Sequence, residues 1–324
     1  MSVSAATEES ERTLIVRARD ELVPDIVEFQ LVAADGAPLP LWQPGAHIDL
    51  VLDDATVRQY SLCGDPADRS SYVIAVLREA GGRGGSVRVH DELHVGEAVR
   101  IRGPRNHFAF EIAPSYRFIA GGIGITAIVP MVRAAAAAGA RWSLAYGGRQ
   151  VGQMAYAQQL AREFPEQVRL YPSASNGRMQ VEVVLADPDP VTDVYCCGPQ
   201  SLMDAVERAA QDAGWLPGAL RLERFVPREL GAPLRQAPFE VDLLLSGQVV
   251  QVQPQQSVLE ACRAAGALVL SSCETGTCGT CETPVLEGAV DHRDSVLTAD
   301  EQAANDRMMI CVSRAAGQRL VLEL

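Results

Sequence analysis

No lysine occurs in the 324 residues, so all 28 basic side chains are arginine. That excludes a Schiff-base lysine and a phosphate loop built around one, and leaves arginine or backbone N–H groups to hold any anion. Only five histidines are present, at 47, 90, 94, 107 and 292, and they fall into no metal-ligand spacing. A Ser/His/Asp triad and an oxygen-activating pair of histidines with a carboxylate are both missing. No apolar run approaches the length that spans a membrane. Positive charge is also scarce, since the net charge is −13. Such a surface attracts neither nucleic acid nor an anionic membrane. The opening MSVSAATEES lacks a basic and apolar signal segment, so a reducing cytoplasm is expected, and buried reduced thiols are expected at Cys63, Cys196 and Cys262.

Cysteine is where the sequence becomes specific. The stretch CETGTCGTC places Cys273, Cys278 and Cys281 at C-x4-C-x2-C spacing, and Cys311 follows within MMICVSRA. This is the plant-type pattern for a [2Fe–2S] cluster, in which each iron takes two thiolates. Gly276 and Gly279 let the loop curl and bring N–H groups toward the sulfurs. Zinc and disulfides are the competing readings. Structural zinc more often shows two C-x2-C pairs or mixed Cys and His ligands, and only one such pair is present. Residues 238–324 resemble a plant-type ferredoxin domain. FEVDLLL and QVVQVQP read as strands, SVLEACRAAG as a helix, and the order implies a β-grasp fold. Twelve acidic residues against five arginines in this segment would steer a basic redox partner.

Residues 12–110 read as about six short antiparallel strands with no long helix, which predicts a β-barrel. Turns at Asp35-Gly36, Pro44-Gly45 and Val95-Gly96-Glu97 separate them. Arg58-Gln59-Tyr60-Ser61 offers a guanidinium, an aromatic ring and a hydroxyl near one strand end. Gly84-Gly85-Ser86 frees the backbone to wrap an anion at the start of a helix over SVRVHDEL.

From Tyr116 the pattern changes to strands alternating with helices. YRFIA, RWSLAY, QVRLYP, TDVYCC and LRLERF read as strands, and AIVPMVRAAAAAG, QMAYAQQLAREF and QSLMDAVERAAQDAG as helices. Alternation of this kind predicts a parallel sheet covered on both faces, with ligands at the carboxyl ends of its strands. There lie Gly121-Gly122-Ile123-Gly124-Ile125-Thr126, Arg149 after RWSLAYGG, and Cys197-Gly198-Pro199. Residues 226–238 hold three prolines and read as a semi-rigid connector.

Taken together, these segments resemble the ferredoxin reductase superfamily. The whole of 12–324 resembles its phthalate dioxygenase reductase and vanillate O-demethylase reductase family, and GPRNHF at 103–108 is similar to that branch's barrel-closing segment. The resemblance implies three domains: a flavin barrel over 1–112, an NAD-binding α/β domain over 113–228, and, after a linker at 229–237, the ferredoxin over 238–324. It implies flavin contacts at Arg58, Gln59, Tyr60, Ser61 and Val76, with the flavin phosphate at Gly84, Gly85 and Ser86. Nicotinamide cofactor would meet Gly121, Gly122, Gly124, Thr126, Arg149, Cys197, Gly198 and Pro199, with Arg178 as a further candidate for its ribose or phosphate side. Ser61, Glu223 and Phe225 would serve the chemistry, with Phe225 covering the flavin ring and Glu223 poising a proton. The cluster would be held by Cys273, Cys278, Cys281 and Cys311.

FMN is expected over FAD, because no further aromatic platform is present for an adenine. NADH is expected over NADPH, because no cluster of arginine and serine follows Gly147. A nicotinamide delivers two electrons at once and a [2Fe–2S] cluster carries one, so a flavin is the adaptor between them. The family implies electron delivery to a separate Rieske-type terminal oxygenase acting on an aromatic acid, an aryl ether or a similar small molecule. A stand-alone NAD(P)H:acceptor reductase serving a cytochrome or quinone, and a non-catalytic redox sensor, remain open. A monomer suffices for each.

Overall fold

The computed structural model describes residues 11–53, 56–228 and 231–324. The opening MSVSAATEES and the first two residues of the expected linker lie outside the described residues. The chain divides into two compact units, one ending at Glu223 and the other starting at Arg224. No helix among the described residues is long and apolar enough to cross a membrane.

The first unit begins with β1 (Arg12–Val23), β2 (Ile26–Ala33), β3 (Ala46–Asp53), β4 (Thr56–Ser61) and β5 (Tyr72–Leu77), then α1 (Gly85–Glu92) and β6 (Ala98–Asn106). The six strands pair antiparallel in the order β4-β3-β6-β1-β2-β5. A bridge from Leu62 to Ile74 and the bond from Cys63 N–H to Val73 O at 2.9 Å join the two ends, so the sheet closes as the expected barrel. Alternation buries Leu14, Val16, Phe29, Leu31, Ile48, Leu50 and Ile101 in its interior.

The nucleotide lobe follows as β7 (Ser115–Gly121), α2 (Ile125–Ala137), β8 (Arg141–Gly148), α3 (Ala157–Glu163), β9 (Val168–Pro172), α4 (Ser173–Asn176), α5 (Val181–Val184), β10 (Thr192–Cys197), α6 (Gln200–Ala213) and β11 (Leu220–Glu223). Its five strands run parallel in the order β11-β10-β7-β8-β9. The third helix is shorter than its sequence pattern implies. Val151–Gln153 form a 3₁₀ turn and Tyr156 takes a left-handed conformation, so α3 starts only at Ala157.

Barrel and lobe share one core. Ile26, Cys63 and Ala75 of the barrel pack in the same cluster as Phe118, Ile125, Met154, Leu160 and Tyr195. An aromatic group of Phe108, Phe110, Tyr116, Phe118 and Tyr195 ties the chain leaving β6 onto the parallel sheet. Each such pair contributes about 0.5–1.5 kcal/mol beyond its buried area. The Tyr195 hydroxyl accepts from Glu111 N–H at 2.8 Å and donates to Ala109 O at 3.2 Å, which secures the same crossing.

The second unit contains β12 (Phe239–Leu243), β13 (Gln248–Val252), α7 (Val258–Ala264), β14 (Glu282–Glu287), β15 (Val290–Asp291), α8 (Ala299–Ala304), β16 (Arg307–Met309), β17 (Arg314–Ala315) and β18 (Arg319–Leu322). A mixed sheet in the order β13-β12-β18-β14-β16, with α7 packed on it, gives the β-grasp arrangement. Both helices begin in capping boxes, Ser257 with Glu260 and Thr298 with Glu301, which satisfy N–H groups that a helix start leaves unpaired.

Candidate redox sites

The cysteine loop runs between α7 and β14 and is irregular throughout. Its curl depends on Glu274, Gly276 and Gly279, whose φ angles are 54°, 74° and 74°. Gly276 is also confined: a methyl group there would lie 2.6 Å from Val312 Cγ2. Backbone N–H groups of Thr275 and Thr277 each approach Cys273 Sγ to 3.4 Å, and that of Thr280 approaches Cys278 Sγ to 3.4 Å. Cys311 arrives on the chain just beyond β16, where Ile310 N–H donates to Cys281 O at 3.3 Å.

The four sulfurs associate in pairs. Cys278 hydrogen-bonds to Cys273, which holds the Cys273 thiol down to about 4 and pushes Cys278 up. Cys281 and Cys311 interact in the same way, Cys281 held below the ordinary thiol range and Cys311 raised far above it. Among the described residues, no three or more His, Cys, Asp or Glu side chains converge as one metal ion requires. Two pairs of sulfurs under N–H donors suit a cluster that gives each iron two thiolates. All eight cysteines are free thiols, with Cys63, Cys196 and Cys262 buried.

In the barrel, Arg58 and the glycine turn come together. The Arg58 guanidinium donates to Val57 O at 2.8 Å and Arg83 O at 3.0 Å. A methyl on Gly85 would lie 2.2 Å from Arg58 Nε, so only glycine leaves that contact open. Gly84 precedes α1 with φ 77°, and no side chain caps the helix. Burial, and then the charge of Arg83, hold Arg58 below the ordinary guanidinium range. Two guanidinium groups beside an uncapped helix N-terminus make an electropositive cradle suited to a phosphate. Ser86 Oγ accepts from Glu79 N–H at 3.0 Å and orders the turn. Burial pushes the Tyr60 phenol above its ordinary value.

Ser61 is buried, and its Oγ has no hydrogen-bond partner. An orphaned hydroxyl at the end of β4, three residues from Arg58, is what a polar cofactor edge would satisfy. Gln59 instead donates to Asp49 Oδ1 at 3.1 Å. Val76 lies wholly buried in the barrel core, where its carbonyl meets His90 Nε2 at 2.8 Å.

In the nucleotide lobe, two glycine loops from distant parts of the sequence touch. A methyl on Gly124 would lie 2.4 Å from Cys197 O, and one on Gly121 would lie 2.8 Å from Pro199 Cδ. Gly198 lies equally close to Gly121, with 3.0 Å between its missing Cβ and Gly121 Cα. Gly122 has φ 54°, and Thr126 Oγ1 donates to Ile123 O at 2.9 Å. Arg149 follows the end of β8, and Arg178 lines an open cavity of about 530 Å³ with Arg169, Tyr171 and Asn176. Glu223 pairs with Cys197 across parallel strands. Its Oε2 is enclosed without a hydrogen-bond partner, and burial pushes the carboxyl up to about 8. Burial, and then Glu223, raise the Cys197 thiol well above its ordinary value. Phe225 belongs to the other unit and is 41 % exposed.

Sequence reasoning missed a buried polar group on β3 and β6. Asp49 is fully buried and forms an ion pair with Arg105 at 2.5 Å. His47, opposite Ser61 in the strand register, has its ring pushed down to about 3 by burial, then by Arg105 and His107. The signal lay in AHIDL, where polar residues alternate with core residues at positions 47 and 49.

Comparison with known proteins agrees with this geometry. The family described as 2Fe-2S iron-sulfur cluster binding domain matches residues 242–316, and the oxidoreductase NAD-binding domain matches 118–208. A putative toluene-4-sulfonate monooxygenase system reductase subunit from Comamonas testosteroni is 42 % identical, covering 93 % of this chain and 95 % of its own. The solved structure of phthalate dioxygenase reductase, described as modular for electron transfer from pyridine nucleotides to [2Fe–2S], is 37 % identical with TM-score 0.70. That match covers 97 % of this chain and 98 % of the other. The chain belongs to the phthalate dioxygenase reductase family.

This member of the phthalate dioxygenase reductase family is an NADH-dependent iron–sulfur oxidoreductase that works with a flavin. An intact type IV self-sufficient cytochrome P450 monooxygenase is also similar, 44 % identical with TM-score 0.90 over 97 % of this chain. The chain spans 41 % of that protein's length.

Proposed function

We propose that the chain is the reductase component of a multicomponent oxygenase, passing electrons from NADH through FMN and a [2Fe–2S] cluster to a separate Rieske-type terminal oxygenase. The substrate class of that oxygenase would be an aromatic acid or aryl ether. The observation that carries the reading is the curled loop that sets N–H donors over Cys273 and Cys278, with Cys311 brought beside Cys281 by the bond from Ile310 N–H to Cys281 O. The three expected domains, 1–112, 113–228 and 238–324, are part of the same proposal.

Bound flavin supplies the conversion of a hydride's electron pair into single electrons. Arg58 and the uncapped start of α1 at Gly85 and Ser86 hold its terminal phosphate, which favours FMN. Ser61 turns its unpaired hydroxyl to the flavin edge, and Tyr60 bounds its site. Gly121, Gly122, Gly124 and Thr126 leave room for the nicotinamide cofactor against Cys197, Gly198 and Pro199. Arg149 and Arg178 bind its ribose or phosphate side. Glu223, its carboxyl raised to about 8 by burial, is placed to hold a proton beside Cys197. The N–H groups of Thr275, Thr277 and Thr280 favour charge on the sulfurs and raise the cluster potential.

NADH consumption by the purified chain, stoichiometric with hydroxylated product when a Rieske oxygenase is added, tests the proposal. NADH oxidation with no electron reaching any Rieske oxygenase overturns the partner. The 44 % identity to the self-sufficient P450 favours a second reading, in which the acceptor is a haem monooxygenase. Reduction of a P450 under carbon monoxide, read by its Soret shift, distinguishes the two.

A further inference from the structure

Tyr156 is one of four described non-glycine residues with positive φ, at 59°. A left-handed aromatic residue persists only where its surroundings over-determine it. What holds Tyr156 lies in the barrel. Its phenol donates to Glu28 Oε2 on β2 at 2.5 Å, and its oxygen lies 3.3 Å from Cys63 Sγ. These partners are 128 and 93 residues away in sequence. The single phenol proton goes to the carboxylate, so the thiol is the donor to the phenol oxygen, sharing its hydrogen with Val73 O at 3.5 Å. Burial pushes the Cys63 thiol up to about 12, which keeps that proton in place across the working range.

The location gives the contact its meaning. Cys63 is where the barrel closes on Val73, two residues beyond Ser61. On the other side, Tyr156 precedes α3, and Met154 packs over Gly148, at the end of β8 beside Arg149. Packing at this edge leaves an open cavity of about 380 Å³ lined by Leu22, Pro24, Met154, Tyr156 and Gln158. Beside the apolar contacts of the shared core, these hydrogen bonds are the directional ones and set the register here.

We propose that Tyr156, held by Glu28 and Cys63, is a positioning residue that fixes the nucleotide lobe against the barrel and so aligns the nicotinamide with the flavin. This rests on the reading above for where the two cofactors bind. Because effective alignment at a reacting centre is sensitive to displacements near 1 Å, a lost pin slows transfer without touching either cofactor.

The test compares the purified full chain with Tyr156→Phe, which keeps the ring and deletes the hydroxyl. Hydrogen exchange without added NADH is read at Cys63, bonded to Val73 O, and at Leu160, bonded to Tyr156 O. Both amides should exchange about tenfold faster in the variant, the effect of losing one charge-assisted hydrogen bond. Single-turnover flavin bleaching by NADH should slow about tenfold, with a weaker nicotinamide–flavin charge-transfer band. Glu28→Ala should slow it equally and the double variant no further, since contacts in one network are not additive. Glu28→Gln keeps an acceptor oxygen and should restore most of the rate. Unchanged exchange and bleaching in Tyr156→Phe, or a double variant slowed by the product of the single effects, overturns the proposal. If Tyr156→Phe is purified without flavin, Glu28→Ala and Glu28→Gln carry the comparison, and equal rates in those two overturn it. Failure of NADH to bleach the unaltered chain would instead overturn the functional reading.

Discussion

Replacing Gly124 with alanine separates steric fit from backbone conformation. Gly124 has φ −59° and ψ −14°, ordinary helical values that alanine adopts freely. The added methyl, however, would lie 2.4 Å from Cys197 O, 2.5 Å from its carbonyl carbon and 2.7 Å from Gly198 N. Such atoms rest at about 3.5 Å, so the two glycine loops must part by roughly 1 Å. Overpacking of this kind costs about 1–3 kcal/mol, which the chain relieves by moving the loops. A displacement near 1 Å at a positioning site costs up to about 100-fold in rate. The expected result is a fall of about 10–100-fold in kcat/KM for NADH, measured by ferricyanide reduction, with flavin and iron content unchanged. Gly152→Ala is the control, because nothing lies within 4 Å of a methyl there. Unaltered kcat/KM in Gly124→Ala, or an equal loss in Gly152→Ala, would refute the assignment of these loops to the nicotinamide cofactor.

Other outcomes follow from the same geometry. Gly276→Ala forces a side chain into a left-handed position 2.6 Å from Val312 Cγ2, and should yield protein depleted in iron and labile sulfide that still reduces ferricyanide with NADH. Wild-type iron content in that variant would contradict the loop assignment. Arg58→Lys exchanges a planar fork for a point charge and should weaken flavin retention about 10–100-fold, read by dialysis and fluorescence of the released flavin. Glu223 has its carboxyl raised from 4.5 to about 8, so the stability it contributes is complete below pH 4.5 and is lost as pH rises through about 8. Thermal midpoints of the unaltered chain and Glu223→Gln should therefore diverge between pH 4.5 and 8, the unaltered chain losing ground. Parallel curves would show that the carboxyl is not enclosed.

What the sequence made legible was chemistry confined to short segments. The C-x4-C-x2-C run announces its cluster because three ligands sit on one loop, and the nucleotide strands announce themselves because each is an apolar run followed by a helical period. Turn residues located the barrel strands well, and only the pairing through Leu62 and Ile74 showed that the sheet closes. Local pattern failed where a distant segment decided the outcome. QMAYAQQLAREF has helical spacing from its first residue, yet α3 starts at Ala157 because Tyr156 is drawn into a left-handed turn by Glu28 and Cys63. His47 and Asp49 alternate with core residues along AHIDL, a spacing that fits a strand with one polar face, yet both are buried, with Asp49 paired to Arg105. For Tyr156 and Asp49 a polar side chain sits where pattern alone puts solvent or core, and its partner lies tens of residues away. An unpaired buried polar group costs about 1–3 kcal/mol, so these positions are tolerable only with partners in place. The same cost marks the Ser61 hydroxyl, the one predicted flavin contact that is buried with an unpaired side-chain oxygen, as the place where bound flavin should add most to the stability of the barrel.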